Sequence, residues 1–479
     1  MDWFSNFAQY WPQLAALIAL ANVIASGHAL LNKRDPRAAT IWLGVIWTMP
    51  ALGSLCYVVL GVNRIRRHAI RLRVHKIFSR AVPENLGDTE SAGAEHLQHI
   101  ARVVSRVAAQ PLTAGNKIDP LVNGDEAFPA MLAAIENAQK SISLCSYIFD
   151  NDETGMKFVA AVKRAVERGV LVRVLVDSAG TRYSFPPITW KLRHAKIPFA
   201  KFLPTSILTP WRVATINLRN HRKSLTVDGE ISFTGGMNLR HGNVLLANPA
   251  SPVQDLHFRV TGPVVAELQE AFANDWNFTT GEILKGETWF PDLSEAGDVI
   301  ARVVPDGPDA DFENARWTML AALGEAQASV KILTPYFLPD IALITALNLA
   351  ALRGVRVDII LPAKNNLPFV HWASRALWWQ VLERGCHLWL TPPPFDHSKL
   401  MIVDGHWVSF GSANWDARSL RLNFELNVEA YGRKFAEEME KLIARKIGVA
   451  REVSLGEVDG RSLPGKLRDA FARLFAPYL

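Results

Sequence analysis

Cysteine is scarce in this chain of 479 residues. Cys56, Cys145 and Cys386 stand far apart, with no CxxC pair. That spacing excludes a disulfide framework and argues against a zinc ribbon or an iron–sulfur cluster. Charged residues make up only 20% against 49% apolar ones, which is not the composition of a long disordered chain. Near the N-terminus charge almost vanishes: residues 3–32 and 38–63 hold no Asp, Glu, Lys or Arg. Acids are also the minority sign, giving a net charge of +6 and a pI near 9.2. That balance suits an anionic partner, either nucleic acid or an anionic membrane surface. The length allows about three domains at ~150 residues each, or two large ones plus an attachment.

The uncharged N-terminal runs read as membrane spans. A helix needs ~20 apolar residues to cross a bilayer, and two such stretches fit, Trp11–Leu31 and Ile41–Val62. Trp3, Trp11, Trp42 and Tyr57 lie near their ends, where an aromatic belt sits. Pro12 is tolerated at a helix start, and Pro50 is expected to kink the second span. A cleaved signal peptide fits poorly, because Asp2 rather than a basic residue opens the chain and a second apolar run follows at once. Arg64, Arg66, Arg67, Arg71, Arg73, Lys76 and Arg80 follow the second span with no acid among them, against Lys33, Arg34, Asp35 and Arg37 in the loop between spans. The positive-inside rule then puts the large C-terminal part, and the N-terminus, in the cytoplasm. Beside a membrane this basic run is expected to touch anionic headgroups.

From about Leu121 the pattern turns α/β. Ser141–Phe149 reads as a buried strand, Gly155–Arg168 as a helix and Val170–Val176 as a strand ending at Asp177. The same grammar returns as Val330–Phe337, a helix through Ala350, and Val355–Leu361. Alternating strands and helices imply parallel strands with covering helices. Direct alignment exposes an internal repeat. Ala138–Ile142 matches Ala326–Val330, Asp152 matches Asp340, and Arg168-Gly169-Val170 matches Arg353-Gly354-Val355. Repeats of ~180 residues are too long for a solenoid unit and read as two similar domains joined near Thr279–Ala301. The expected organisation is two spans over 1–63, a basic juxtamembrane segment and connector over 64–116, a first lobe over 117–285 and a second over 286–479.

Each repeat carries a second signature. His221-Arg222-Lys223 is followed by Asp228, then Gly235-Gly236 and Asn238; His397-Ser398-Lys399 is followed by Asp404, then Gly411-Ser412 and Asn414. The spacing is identical in both: HxKxxxxD, six residues, GG or GS, one residue, Asn. On a strand, side chains at i and i+2 share a face, so His and Lys of each copy point together. Asp-Gly then turns the chain into a returning strand, Ile231–Thr234 or Trp407–Phe410, and the later glycine permits a close backbone approach to a ligand or partner. Two such edges facing each other place two imidazoles and two ammonium groups around one pocket. That pocket suits a phosphodiester: the lysines neutralise charge on its non-bridging oxygens, one histidine attacks phosphorus and the other protonates the leaving alkoxide.

A histidine nucleophile needs its second nitrogen held by an acceptor. Asp255 precedes Gly262 by seven residues and Glu425 precedes Gly432 by seven, so one acid per histidine is expected. Asp228 and Asp404 complete the motif and are counted with the catalytic set. At five positions after Lys, however, a regular strand turns them away, which points to a turn or an ion pair. Asn238 and Asn414 can donate to phosphate oxygens or cap a turn, and Ser412 is a similar candidate.

These paired motifs resemble the phospholipase D superfamily. The finer resemblance is to bacterial membrane-anchored cardiolipin synthases, carried by Arg219–Lys223, Gly235–Asn238, Thr334–Asp340, His397–Lys399, Gly411–Ser419, Asn423-Phe424-Glu425 and the ending Arg473–Leu479. The resemblance implies two pseudo-symmetric α-β-α sandwich lobes with one active site between them and neither metal nor cofactor. It implies a phosphatidyl-histidine intermediate on His221, with His397 as general acid and then base; the symmetry of the motifs alone leaves those two roles open. One phosphatidylglycerol phosphatidylates the enzyme and glycerol leaves. A second phosphatidylglycerol then attacks, giving cardiolipin. The implied setting is the bacterial inner membrane, with anionic lipids as partners. One departure is Leu239–Asn243, where members of the family often carry an acid and a tyrosine, and it bears on acceptor preference.

Other features admit plainer readings. His96 and His99 read as a solvated helix face, not a metal site. Phe369, Trp372, Trp378 and Trp379, and in the first lobe Trp190, Phe199, Phe202 and Trp211, are core or an acyl-chain groove. Leu467, Phe471, Leu474 and Phe475 follow helical spacing on a short C-terminal helix that packs on the lobe or dips into a membrane interface. Two other functions compete: a superfamily hydrolase, phospholipase D or nuclease, with water as acceptor, and an inactive membrane scaffold. Two spans favour lipid over nucleic acid, and two intact His-Lys pairs argue against the scaffold.

Overall fold

The computed structural model describes residues 10–33, 36–61, 94–204, 218–308 and 311–476. The basic run Arg64–Arg80, Trp3 and Trp211 lie outside them. The chain divides into two units, Met1–Ala69 and Ile70–Leu479.

In the first unit the helix Trp11–Asn32 has 22 residues and is long and apolar enough to cross a membrane. At 1.5 Å per residue it measures about 33 Å, matching a ~30 Å hydrocarbon core. The second expected span is not one helix. Pro36–Thr48 stops before Pro50, Ala51 takes a φ of +67°, and the chain resumes as Leu52–Cys56 and a π-turn, Tyr57–Gly61. Proline removes a backbone donor and clashes with the preceding turn, so the expected kink is a full break. Polar contacts tie the two stretches together: Ser54 Oγ donates to Asn22 Oδ1 at 2.6 Å and Trp47 Nε1 to Ser26 Oγ at 3.1 Å.

Among the described residues the second unit is built on one sheet of sixteen strands, fifteen in a row whose halves repeat the same order and one, Arg219–Asn220, paired beside Asn423–Tyr431. From its outer edge inward, the first half runs Phe199–Phe202, Leu171–Asp177, Ser141–Ser146, Ser224–Val227, Ile231–Gly235, Leu256–Thr261 and Thr113–Val122. The second runs His387–Thr391, Arg356–Pro362, Ser329–Leu333, Leu400–Val403, Trp407–Gly411, Asn423–Tyr431 and Val299–Asp306, with Arg451–Val453 added at its outer edge. The halves meet where Thr113–Val122 pairs antiparallel with Val299–Asp306.

Leaving aside the antiparallel edge strand Arg451–Val453, the outer three strands of each half are parallel and linked by helices, among them Glu153–Glu167 and Ile341–Leu352. The aligned aspartates cap these helices: Asp152 accepts from the Gly155 amide and Asp340 from the Leu343 amide. Strand alternation feeds two layers. Ile142, Leu144, Val172 and Val174 pack under the helices of one face, while Cys145 and Leu175 meet Phe272 and Trp276 of Val265–Thr280 on the other. Phe258 and Phe410 stack at 3.8 Å in a core shared by both halves.

Residues 94–112, read from sequence as connector, join the second half. Helix Gln98–Ala108 buries Ile100, Ala101 and Val104 in its core, and the buried Arg302 donates from Nη2 to the Ala101 carbonyl at 3.0 Å. The expected boundary at 285/286 falls between helix Val265–Thr280 and strand Val299–Asp306.

Candidate active site

Each HxK segment is stitched to the opposite half. Arg219–Asn220 pairs in parallel with Asn423–Phe424, and the His221 amide donates to the Phe424 carbonyl at 2.9 Å. Phe395–Asp396 pairs in parallel with Val253–Gln254, and the His397 amide donates to the Gln254 carbonyl at 2.8 Å. Each histidine is therefore clamped beside the segment that carries the other half's acid.

The result is a crossed pair of dyads. His221 Nδ1 lies 2.9 Å from Glu425 Oε2, and His397 Nδ1 lies 2.9 Å from Asp255 Oδ2. An ionised carboxylate only accepts, which assigns the proton to Nδ1 and leaves Nε2 with its lone pair. Each imidazole is 9% exposed and the carboxylates 2% or less. Glu425 Oε1 also accepts from Ser419 Oγ at 2.8 Å and Asn423 Nδ2 at 3.0 Å.

Lys223 and Lys399 each donate to the carbonyl of the histidine two residues earlier. Burial pushes Lys223 down to about 7 and Lys399 to about 8, partly offset by Glu425 and Asp255. Burial also lowers His221, and it takes His397 to about 4 with Lys399 adding to the effect. For the acids burial opposes ionisation and is outweighed: His221 and Lys223 hold Glu425 at about 2, and His397 and Lys399 hold Asp255 below its usual range. Each histidine also feels the lysine of the other half, so the four groups form one electrostatic site. At neutral pH it holds ionised acids and neutral imidazoles, each with a free Nε2. Such a site can attack an electrophilic phosphorus and move a proton at the departing oxygen.

Asp228 and Asp404 are not in this site, which corrects their place in the catalytic set. Asp228 accepts from the amides of Gln139, Lys140 and Ser141, and Asp404 from those of Gln327, Ala328 and Ser329. Both have positive φ, +54° and +51°, at the tip of the hairpin that follows each HxK segment. Five residues of extended chain at ~3.3 Å each carry them about 16 Å from their lysines. They lock the hairpin onto the start of the neighbouring strand.

The glycine pairs serve the dyads. A Cβ at Gly236 would stand 2.3 Å from Asp255 Oδ1, and one at Gly411 2.2 Å from the Leu426 carbonyl. The close partner is thus the acid-bearing strand. Ser412, expected at phosphate, accepts from the Leu426 amide at 2.9 Å and donates back to its carbonyl at 3.5 Å; its hydroxyl also helps hold the Glu425 carboxylate ionised. Asn238 accepts from the Ile148 amide at 3.0 Å, and Asn414 donates to Ser419 Oγ at 3.2 Å, one step behind Glu425.

Sequence reasoning missed two groups. Tyr147 lies edge-on to His221 at 4.9 Å with Lys223 Nζ 5.4 Å from its ring, and Tyr336 lies 6.1 Å from His397. Each ring flanks its own histidine from a different position of the repeat, Tyr147 five residues before Asp152 and Tyr336 four before Asp340, and this offset hides the likeness. The second group is Arg222, which reads as the variable residue of HxK. It is buried, pairs with Asp275 at 3.0 Å and donates from Nε to the Glu425 carbonyl at 3.0 Å. His96 and His99 lie against Asp404 and Glu325, at 3.3 and 3.1 Å. Trp378 and Phe202 are core, Phe369, Trp372 and Phe199 are half-buried, and Trp190 and Trp379 are exposed.

Comparison with known proteins identifies this chain's relatives. The family described as "Cardiolipin synthase, PLD-like domain" matches residues 131–276 and 319–447, which takes in both dyads. Cardiolipin synthase 1 of Bacillus anthracis is 30% identical over 491 residues, covering 99% of this chain and 96% of the relative. The major cardiolipin synthase of Bacillus subtilis is 30% identical over 479 residues, covering 97% and 99%. Among solved structures, a phosphatidylserine synthase of Haemophilus influenzae superposes with a TM-score of 0.63 at 14% identity, over 79% of this chain and all of that one; this likeness speaks to the fold. The chain belongs to the cardiolipin synthase family of the phospholipase D superfamily.

Proposed function

We infer that the chain makes cardiolipin by transferring a phosphatidyl group between two phosphatidylglycerol molecules. The crossed dyads carry this reading: two neutral imidazoles, each fixed through Nδ1 by a buried carboxylate, flanked by two buried lysines. Lys223 and Lys399 hold the non-bridging oxygens of the donor phosphodiester. Its negative charge, entering beside His397, raises that imidazole from its low resting value and favours a proton on Nε2. His221 Nε2 attacks phosphorus, the bond from phosphorus to the glycerol oxygen breaks, and His397 gives that oxygen its proton. Now neutral, His397 takes the proton from the terminal hydroxyl of a second phosphatidylglycerol. That oxygen attacks phosphorus, the P–N bond breaks, and His221 is restored. One phosphodiester replaces another, so the balance needs no nucleotide.

Attachment to the bilayer fits the same reading. Trp11–Asn32 crosses, the broken stretch Pro36–Gly61 returns, and the basic residues from Arg64 to Arg80 keep the catalytic unit on the cytoplasmic side of the inner membrane. The deciding measurement is mass spectrometry of lipids after incubating the purified full chain with phosphatidylglycerol alone. Cardiolipin with released glycerol is expected. Phosphatidic acid as sole product would make water the acceptor and the protein a phospholipase.

A further inference from the structure

The C-terminal helix Leu463–Arg473 packs with its polar side inward. Its buried residues are Asp469 and Ala472. Asp469 takes ion pairs from Arg461 and Arg468, each at 2.7 Å, and from Arg375 at 3.6 Å, while the Arg468 guanidinium lies 4.5 Å over the Trp372 ring. The opposite face carries Leu463, Leu467, Phe471 and Leu474 at 68%, 62%, 59% and 70% exposure. At 100° per residue these four fall within an arc of about 80°. Lys466 and Arg473 border that arc on one side and Arg468 on the other. A surface helix of a globular domain turns such a stripe inward; here charge holds the helix to the protein and the stripe faces out.

Aromatic contacts run from this stripe toward the active site. The Phe471 and Phe475 rings are 5.5 Å apart, and Phe475 is 5.5 Å from Phe369. Phe369 follows the exposed Leu367, and the neighbouring Asn366 Oδ1 accepts from the Tyr336 hydroxyl at 2.9 Å. Tyr336 is the ring beside His397. Ring contacts thus lead from the helix to Phe369, and the adjoining segment Asn366–Leu367 reaches the second-half wall of the site through the Tyr336 hydroxyl.

We propose that this helix lies in the interface of an anionic phospholipid bilayer, with Leu463, Leu467, Phe471 and Leu474 in the acyl region, and that it sets the mouth of the site at the level from which a lipid headgroup enters. The proposal rests on membrane phospholipids being the substrates. Cationic borders on an outward apolar stripe match an anionic interface, where basic side chains reach back to headgroups. A second copy of this chain would offer the borders the same positive charge.

The test uses the full chain in vesicles of phosphatidylglycerol. Cys145 and Cys386 are buried, so a Cys56→Ser background accepts single nitroxides through Leu467→Cys, Phe471→Cys or Lys466→Cys. Labels at 467 and 471 are expected to collide with oxygen in preference to a water-soluble nickel chelate, and the label at 466 the reverse. Equal chelate access at all three sites overturns the proposal. So does dipolar broadening with neither reagent reaching them, which would mean a second copy covers the face. In parallel, the Leu467→Gln/Phe471→Gln double variant should lose about tenfold of its transfer rate on bilayer phosphatidylglycerol and less than about twofold on a monomeric short-chain analogue. Equal rates on both substrates, relative to the unaltered chain, also overturn it. If the unaltered chain forms no transfer product at all, the activity reading falls, and the label depths still decide the docking.

Discussion

In the second half Glu425 is gripped by Ser419 and Asn423, with Arg222 on its carbonyl; in the first half Asp255 Oδ1 accepts the amide of its neighbour Leu256 at 2.8 Å. Where the first half places Arg222, buried and paired with Asp275, the second has Ser398, whose hydroxyl turns to Asp396 at 2.7 Å. His257 stands where the second half has Asn427, and Tyr147 sits closer to its histidine than Tyr336 does. The strand order and the 2.9 Å dyads are the same in both halves. Duplicated backbone therefore fixes the shape of the site, while unlike neighbours give its two histidines different surroundings. Crossing adds a second lesson: neither half holds a complete dyad, so the chemistry exists only once the halves have joined.

The largest expected break separates the histidines. His221→Ala should reduce cardiolipin formation by about 10⁴-fold and abolish covalent labelling of the protein by radiolabelled phosphatidylglycerol. His397→Ala should slow turnover comparably yet retain labelling from a donor whose leaving group needs no proton. Labelling that survives in His221→Ala and vanishes in His397→Ala would reverse the two roles. The next effect probes the acids. Glu425→Gln should cost roughly 10²–10³-fold, because an amide no longer holds the imidazole proton on Nδ1. Asp255→Asn should cost less if the nucleophile is the more demanding partner. Wild-type rates in Glu425→Gln, with the fold intact by circular dichroism, would remove it from the orienting role.

The lysines sharpen the comparison through pH. Their folded values, about 7 for Lys223 and about 8 for Lys399, lie below the usual 10.5. Each ammonium is therefore lost as pH rises through its own value, and kcat/KM should fall along an alkaline limb in two steps. Lys223→Arg keeps a charge at every working pH, so it should erase the lower step and leave one near 8; Lys399→Arg should leave one near 7. The rate cost should be several-fold to tens-fold. A limb unchanged in both variants would mean that the lysines do not set it.

Much of this was legible in the sequence because the repeat is local. The strand after each HxK, the Asp-Gly turn and the alignment of Asp152 with Asp340 each depend on neighbours within a few positions, and each lies as read; the HxK triplets themselves sit in the links just before Ser224–Val227 and Leu400–Val403, not on those strands. The crossing of the dyads was not legible. One acid per histidine follows from matched offsets, but which acid serves which histidine depends on Arg219–Asn220 and Phe395–Asp396 pairing across the halves, contacts some 140 to 200 residues apart. Arg222 was hidden for the same reason, since its partner Asp275 sits on a helix beyond the motif. The second apolar stretch was read as one span because composition measures hydropathy, whereas Pro50 acts on backbone geometry.

The smallest effects should fall on Asp228 and Asp404, where the comparison predicts likeness rather than difference. Each carboxylate accepts three backbone amides, and hydrogen bonds to a charged acceptor are the stronger kind, although the amides of Gln139, Lys140, Gln327 and Ala328 lie near solvent. Asp228→Ala or Asp404→Ala should therefore each destabilise the catalytic unit by about 1–3 kcal/mol, read as a lower Tm or denaturant midpoint. Because the carboxylates stand about 16 Å from their lysines along the extended chain, kcat at a temperature where the variant stays folded should change by no more than about twofold. His96 Nε2 lies 3.3 Å from Asp404 Oδ2, and among the described residues no equivalent histidine contact reaches Asp228, so Asp404→Ala also removes that contact and should cost slightly more. A drop in kcat of a hundredfold with Tm unchanged would return these aspartates to the chemistry, and a difference between them larger than the His96 contact explains would show that the two hairpins are not equivalent supports.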